Sequence, residues 1–192
     1  VDSIAYYTAL AQEHDVLITA HLSYPDKENF GRVVLNIAEE VLLNALEEQF
    51  NAIKQNTTTV KLHGALYNEV NANTTLAQSI ANWMHKAGVT QVLTPHNSAL
   101  AQACEQLGID VLHEAFLDRR YHYQNDALHL APRGTDGAVI DNVDDAKRQL
   151  EHLQKGYVHV NEVAYPLKAQ TLCVHSDSSH ALEIVRAVTE VL

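Results

Sequence analysis

Short apolar segments alternate with longer amphipathic segments along the chain, and this alternation limits the possible folds more than any other feature. Apolar runs rich in Val, Ile, Leu and Thr are typical of strands, and apolar residues three or four positions apart are typical of helices. Strands that alternate with helices pair in parallel, so the sequence predicts an α/β fold. The predicted strands are 16–20, 59–62, 91–94, 110–116 and 171–174, and the predicted helices are 2–13, 37–55, 75–86, 98–107, 143–155 and 179–191.

Length and charge exclude several classes of protein. The chain has 192 residues, which suits a single domain over 1–192. Lys and Arg number 13 and Asp and Glu number 24, and the formal net charge of −11 disfavours binding to nucleic acid or to an anionic membrane surface. No apolar stretch is long enough to cross a membrane, and no secretory signal opens the sequence. We therefore expect a cytoplasmic protein, which agrees with only 2 Cys residues and no metal-ligand spacing between them.

Histidine is unusually frequent, with 12 residues, and several of these follow the predicted strands. His21, His63, His96 and His175 each come within two residues of a strand end. In parallel α/β folds the carboxyl ends of the strands lie on one face, where ligands bind. Strand alternation also places Lys61 on the same side as His63. The sequence therefore predicts a polar site on this face, although a hydrogen bond to loop backbone is the alternative role for any single His.

The segments after the predicted strands add guanidinium and carboxylate groups. Arg32, Arg119 and Arg133 occur close to these His and Asp residues, and a guanidinium suits the binding of a carboxylate or a phosphate. A surface ion pair is the alternative for each. The chain has no GxxxxGK[ST] or GxGxxG motif and only 7 Gly, so a glycine-built phosphate loop is not expected. His and Asp at strand ends also suit a divalent metal, which leaves a metal-dependent, deacetylase-like amide hydrolase as an alternative.

The same polar residues belong to motifs that occur in a characteristic order. These are AHLSYPD at 20–26, NFGR at 29–32, VKLHGALYN at 60–68, EAFLDRRY at 114–121, GAVI at 137–140 and CVHSD at 173–177. In these motifs the chain resembles the LamB/YcsF family, the A subunit of the bacterial ATP-dependent 5-oxoprolinase. The family has Gly where this chain has Ser176, and a positive φ at that position would strain a serine.

The resemblance implies an irregular, TIM-like (β/α) barrel similar to that of the polysaccharide deacetylases. Family members begin with two strands that do not precede the first helix here, so we expect an N-terminally incomplete barrel. The resemblance also implies opening of 5-oxo-L-proline to L-glutamate with ATP, with Mg²⁺ as the counter-ion of ATP, and with partner subunits B and C, which could themselves bind the ATP. We expect the chain to be inactive without those partners. The alternatives are a homo-oligomer and a catalytically silent binding subunit.

Opening a lactam requires a base for water, a donor for the developing oxyanion and a cation for the substrate carboxylate. We predict proton transfer by His63 and His175, and orientation of these side chains by Asp26 and Asp177. Anion binding is predicted for Lys61 and Arg119. The other predicted substrate-binding residues are His21, Asn68, Glu114, Asp118, Tyr121 and Arg133, and no residue is predicted to be a metal ligand.

Overall fold

The alternation of strands and helices is present in the structure, a computed structural model that describes residues 2–191. The helices are α1 (Asp2–Glu13), α2 (Glu39–Asn51), α3 (Gly64–Ala72), α4 (Thr74–Ala87), α5 (Ala99–Gln106), α6 (Val143–Gln154) and α7 (Ala181–Thr189). The strands are β1 (Ala20–Leu22), β2 (Thr59–Leu62), β3 (Gln91–Thr94), β4 (Asp110–Phe116), β5 (Tyr121–Gln124), β6 (Ala127–Leu130), β7 (Tyr157–Val160), β8 (Val163–Pro166) and β9 (Thr171–Cys173). The predicted α/β fold is confirmed, and the parallel main strands are consistent with a TIM-like barrel.

The chain divides into two compact units, Val1–Leu112 and His113–Leu192, which we call unit 1 and unit 2 and describe separately. The single domain over 1–192 stays a prediction. In unit 1, β1, β2 and β3 are parallel neighbours in that order, and β4 begins in this unit. Helix α2 packs on β1 and on α4. Of the helices described between residues 2 and 191, none is long and apolar enough to cross a membrane.

Local sequence explains where the helices of unit 1 begin and end. The side chain of Asn73 accepts a hydrogen bond from the backbone N–H of Leu76 and so caps the start of α4. Gly88, with φ of 83°, ends the same helix in the left-handed conformation that glycine adopts without strain. Between these ends, Ala77, Ile80 and Met84 are buried, which is the three-to-four spacing of an amphipathic helix.

Unit 2 contains the rest of β4, which pairs in parallel with β9. Two antiparallel hairpins, β5–β6 and β7–β8, lie between these strands in sequence. Helices α6 and α7 pack together, and the hydrophobic core of the unit includes Leu117, Ile140, Leu150 and Ile184. Ser176 is not among the described residues with positive φ, so serine in place of the family's glycine brings no left-handed strain.

Three predictions of secondary structure were incomplete or wrong. The first strand begins at Ala20, not at residue 16, because Val16 is used to end α1 through a hydrogen bond from its N–H to the carbonyl of Ala11. Leu17 in the same segment is 95% exposed. Residues 64–72, which the prediction left in a loop, form α3, and the two hairpins were also missed.

Candidate active site

Three polar side chains in unit 1 share one face of the parallel strands. His21 is the central residue of β1 and pairs in register with Lys61 of β2. Partners in a parallel register point to the same side, and His63, two residues beyond Lys61, does so as well. The flanking residues Leu22 and Leu62 point the other way and are buried. The alternation therefore brings His21, Lys61 and His63 together, as the sequence predicted for Lys61 and His63.

The two histidines of this face are hydrogen-bonded to each other. Nε2 of His21 lies 2.9 Å from Nδ1 of His63, and the two ring centroids are 4.7 Å apart in an edge-to-face arrangement. Nε2 of His63 lies 3.0 Å from the backbone carbonyl oxygen of Phe30. The Phe30 ring also packs edge-on against His63, at 5.4 Å between centroids. His63 is thus held at both ring nitrogens, and we call this arrangement the His21–His63 pair.

Two glycines set the position of the Phe30 carbonyl. Gly31 and Gly64 both have positive φ, at 67° and 62°. A Cβ on Gly64 would lie 2.3 Å from the carbonyl oxygen of Gly31. A Cβ on Gly31 would lie 2.9 Å from the Cβ of Ser23. The N–H of Ala65 donates to the same Gly31 carbonyl at 3.0 Å. The loop after β1 can therefore approach the start of α3 this closely only because both positions lack a side chain.

Other predicted residues of unit 1 shape the surrounding loop. Oδ1 of Asp26 accepts hydrogen bonds from the backbone N–H and the side-chain amide of Asn29, so Asp26 stabilises a turn. The orienting contact at Nε2 of His63, predicted for a carboxylate, is made by the Phe30 carbonyl. Asn68 is exposed on α3. Nearby, the Tyr24 hydroxyl donates to Glu69 at 2.7 Å, and burial together with this carboxylate raises the pKa of Tyr24.

In unit 2, His175 is hydrogen-bonded to a buried carboxylate. Nδ1 of His175 lies 2.9 Å from Oδ2 of Asp118 and 3.1 Å from Oδ1. The backbone N–H of His175 also donates to Oδ2 at 2.6 Å. The Asp118 side chain is 1% exposed and that of His175 is 22% exposed. The Phe116 ring stacks on the imidazole, with 5.6 Å between centroids. This His175–Asp118 pair places the proton on Nδ1 and the lone pair on Nε2 of the neutral ring.

The carboxylate that is hydrogen-bonded to the ring of His175 is Asp118. Orientation of the catalytic histidines was predicted for Asp26 and Asp177, whereas Asp118, predicted to bind substrate, accepts the hydrogen bond from Nδ1 of His175. Oδ2 of Asp177 instead lies 3.3 Å from Nη1 of Arg133 in an exposed ion pair. Such pairs contribute only about 0–1 kcal/mol, so an anionic ligand can displace Asp177 from Arg133 at small cost.

Three further predicted site residues lie on β4 or in the segment after it. Arg119, predicted to bind an anion, is only 6% exposed, and its Nη2 donates to the carbonyl of Ala131. Glu114 is also buried. The hydroxyl oxygen of Tyr121 accepts the N–H of Phe116 at 2.8 Å, and burial raises the pKa of Tyr121 although this hydrogen bond opposes the shift. These contacts make Arg119 and Tyr121 parts of the framework that holds the candidate site.

Sequence reasoning missed Gln149, which is buried on α6. Its side-chain amide donates to the carbonyls of Phe116 and Arg119, which flank Asp118 in sequence. A signal was present, because Gln149 is a polar residue on the stripe formed by Ala146, Leu150 and Leu153. A polar side chain at such a position requires buried hydrogen-bond partners.

The side chains of the candidate site suit a phosphate better than a metal ion. Among residues 2–191, no three or more His, Cys, Asp or Glu side chains form a group that could hold a metal ion. Gly31 and Gly64 are used in backbone packing and do not form an open phosphate loop. Cations suited to a polyphosphate are present on the surface, because Arg32 is exposed beside the Phe30 ring, with 5.3 Å between its guanidinium carbon and the ring centroid.

Comparisons with known proteins agree on the family to which the chain is similar. Residues 1–192 match the LamB/YcsF family. The 5-oxoprolinase A subunit from Pyrococcus horikoshii is 34% identical over 193 residues, covering 95% of this chain and 74% of that protein. The protein of the same name from Haemophilus influenzae (strain PittEE) is 31% identical over 192 residues, covering 95% and 77%. The crystal structure of a lactam utilization protein from Thermus thermophilus has a TM-score of 0.78 at 26% identity, covering 98% of this chain and 79% of that one.

Proposed function

The chain belongs to the LamB/YcsF family, and from this premise we propose that it is the A subunit of an ATP-dependent 5-oxoprolinase. In this role it opens 5-oxo-L-proline to L-glutamate together with subunits B and C. The names of the relatives and the similarity to a lactam utilization protein support lactam hydrolysis. Because ATP is consumed, the reaction takes place in the cytoplasm, and Mg²⁺ accompanies the nucleotide.

The chemistry explains why such a reaction needs activation. A five-membered lactam is a resonance-stabilised amide whose ring closure is entropically favourable, since the amine and the carboxyl belong to one molecule. ATP supplies activation of the carbonyl by phosphorylation of the amide oxygen. The protein must then help water to add to the activated carbon and help the ring nitrogen to leave with a proton, which gives an acyl phosphate. Hydrolysis of this acyl phosphate by a second water yields glutamate and inorganic phosphate.

The His175–Asp118 pair is the observation that carries the proposal. Asp118 holds the proton of His175 on Nδ1, so Nε2 can remove a proton from water as its oxygen bonds to the carbonyl carbon. The imidazolium that forms is stabilised by a carboxylate that is only 1% exposed. A buried Asp that accepts from both the ring and the backbone of one His is arranged for this task.

Anionic groups of the substrates require cations that can be reached from solvent. Arg133 is partly exposed and is held by Asp177 in an ion pair that costs little to displace, so we assign it to the carboxylate of 5-oxo-L-proline. Lys61, half-buried on the face that carries the His21–His63 pair, and Arg32 suit the phosphates of ATP. Lys61 lies on β2 two residues before His63, and Arg32 follows Gly31 in the loop after β1.

Reconstitution tests the proposal. The chain is mixed with 5-oxo-L-proline, ATP and Mg²⁺, with and without its cognate B and C subunits, and both glutamate and ADP are measured. We expect glutamate and ADP in equal amounts only when all subunits are present. His175→Asn should abolish glutamate formation, whereas His180→Asn, a change at an exposed histidine of the same unit, should not.

Two results would overturn the proposal. One is the absence of both products from an assembled complex that size-exclusion chromatography shows to be intact. The other is an undiminished rate with His175→Asn in that complex. Glutamate formation by the chain alone, after contaminating enzymes are excluded, would contradict the required partnership with B and C.

A further inference from the structure

The loop after β1 holds one aromatic residue in an unfavourable conformation and environment. Phe30 has φ of 56°, in the left-handed region that bulky side chains rarely adopt. It is also 66% exposed, whereas Phe50 and Phe116, the other two phenylalanines of the sequence, are 1% and 3% exposed. Backbone strain and apolar surface in water both cost free energy. Strain of this kind is typical of residues that contact a ligand.

The turn itself does not require Phe at position 30. Gly and Asn tolerate positive φ best, and Asn29 and Gly31 stand on either side of Phe30. Backbone hydrogen bonds hold the turn, since the N–H of Gly31 donates to the carbonyl of Asp26 at 2.8 Å. The N–H of Arg32 donates to the carbonyl of Asn29 at 3.0 Å. A Phe ring can make none of these hydrogen bonds, so the turn fixes an exposed ring that its own stability does not need.

We propose that Phe30 is the stacking platform for the base of a nucleoside triphosphate, with Arg32 beside it for the phosphates. Every base has a flat π-surface, so it stacks on an aromatic side chain whatever its hydrogen-bonding groups. The guanidinium carbon of Arg32 lies 5.3 Å from the centroid of the Phe30 ring, and a guanidinium suits a phosphate. This assignment rests on the proposed function, in which ATP is consumed, and deepens it by naming the residue that binds the base.

The groups around the ring favour a nucleotide over a purely apolar ligand. His63 contacts the ring of Phe30, with 5.4 Å between centroids, and Arg32 contacts it as a cation, yet most of Phe30 stays exposed. Lys61, proposed for the phosphates, lies two residues before His63, and all of these residues belong to unit 1. The sequence has no GxxxxGK[ST] or GxGxxG motif, so stacking is a needed source of nucleotide affinity.

Calorimetric titration of the chain with ATP and with inorganic tripolyphosphate separates the base from the phosphates. Phe30→Leu should weaken ATP binding about 5- to 150-fold and leave the affinity for tripolyphosphate unchanged. Phe30→Tyr keeps an aromatic ring and should bind ATP within about threefold of the wild type. Tyr6→Leu is the matched control, because Tyr6 is an aromatic residue of unit 1 that is 64% exposed, and it should leave ATP binding unchanged.

Stability separates a ligand contact from a structural role. Phe30→Asn removes the ring and places at φ of 56° a residue that tolerates this conformation. Because Phe30 is mostly exposed, little buried surface is lost. The urea midpoint of Phe30→Asn should therefore equal or exceed that of the wild type, while its ATP affinity falls as in Phe30→Leu. A lower urea midpoint would show that the ring stabilises the turn and would overturn the inference.

The binding results can also overturn the inference. They do so if the wild-type chain does not bind ATP, or if the wild type and Phe30→Leu bind it equally. Loss of assembly with B and C in Phe30→Leu, at unchanged ATP affinity, would instead make Phe30 a contact with a partner subunit.

These measurements require no turnover, so they are independent of the proposed function. ATP binding that depends on Phe30, together with an intact complex that forms no glutamate, would refute the proposed function and leave the base site standing. Glutamate formation by a complex in which ATP binding does not depend on Phe30 would refute only the base site.

Discussion

The two histidine pairs hold an imidazole in place by different means. In unit 2 a charged side chain does so, because Asp118 is buried and accepts from both the ring and the backbone of His175. In unit 1 a neutral ring and a backbone carbonyl do so, through His63 and Phe30. The first pair depends on a buried side-chain carboxylate, and the second depends on a backbone carbonyl in a closely packed loop.

The two arrangements therefore have different energetic requirements. Burying a carboxylate costs desolvation free energy. The hydrogen bonds to the carboxylate offset that cost only while each of them is present. A carbonyl acceptor carries no net charge, but its position depends on a loop that two glycines allow to approach α3. Substitutions in the His175–Asp118 pair should therefore affect catalysis most, and substitutions at Gly31 or Gly64 should affect stability through the backbone.

Asp118→Asn should have the largest effect. The Asn amide would donate to Nδ1 of His175 and so move the ring proton to Nε2, where the base is needed. We expect kcat of the reconstituted complex to fall about 10³- to 10⁴-fold, as in other Asp–His pairs. The NMR tautomer of His175 should invert at the same time. Asp136→Asn, at an exposed position of unit 2, is the control, and an unchanged tautomer in Asp118→Asn would contradict this account.

Gly64→Ala tests the backbone-built pair. A Cβ there would lie 2.3 Å from the Gly31 carbonyl oxygen, in addition to the strain of φ at 62°. We expect a loss of about 2–5 kcal/mol in the free energy of unfolding, measured with urea. Gly88→Ala is the matched control, since φ there is 83° but no atom lies within 4 Å of the added Cβ. Its cost should be only about 1–2 kcal/mol. Equal costs at the two positions would show that close packing is not what holds the loop.

Much of the fold could be predicted because burial leaves a pattern in sequence. The strands at 59–62 and 91–94 have the predicted bounds, since their alternating side chains are buried on one face. The hairpins were missed because their turns depend on Asn125 and Asp126, and on Asn161 and Glu162, which adopt positive φ. Asn and Asp tolerate that conformation, so Asn125-Asp126 between alternating residues was a usable signal.

The sequence predicted which side chains of the candidate site share a face, but not the backbone group or the carboxylate that each histidine contacts. The placement of Lys61 and His63 on one face follows from strand alternation. The Phe30 carbonyl could not be predicted, because every residue has a carbonyl and only the fold decides which one faces His63. The choice between Asp118 and Asp177 as the partner of His175 depends on the pairing of β4 with β9, which the sequence does not specify.

Gln149→Met tests how far the framework of unit 2 depends on buried side-chain hydrogen bonds. Met has a similar volume but cannot donate, so the carbonyls of Phe116 and Arg119 would lose their shared donor in a site where Gln149 is 8% exposed. We expect the free energy of unfolding to fall by about 1–3 kcal/mol. Gln154→Met, exposed on the same helix, should cause little change. A stability equal to that of the wild type would mean that water replaces the lost donor.

The smallest predicted effect is a pH dependence of stability at His152, which belongs to neither the His21–His63 pair nor the His175–Asp118 pair. Burial lowers the pKa of His152 from its ordinary value of 6.5, and the nearby His159, Lys155 and Arg148 lower it further, although Glu151 opposes them. The folded chain therefore binds this proton less readily than the unfolded chain, and stability is lost as pH falls below about 6.5.

His152→Gln should remove this loss. Urea midpoints measured above and below pH 6.5 should decrease less in His152→Gln than in the wild type, whereas His14→Gln, at an exposed histidine of unit 1, should behave like the wild type. The effect is small because much of the charge of His152 is screened by solvent. His152 packs on Tyr157 and His159 of β7, with ring centroids 5.1 and 4.4 Å away, so we expect its protonation to weaken this contact. An equal acid-induced loss in the wild type and in His152→Gln would show that this contact does not sense pH.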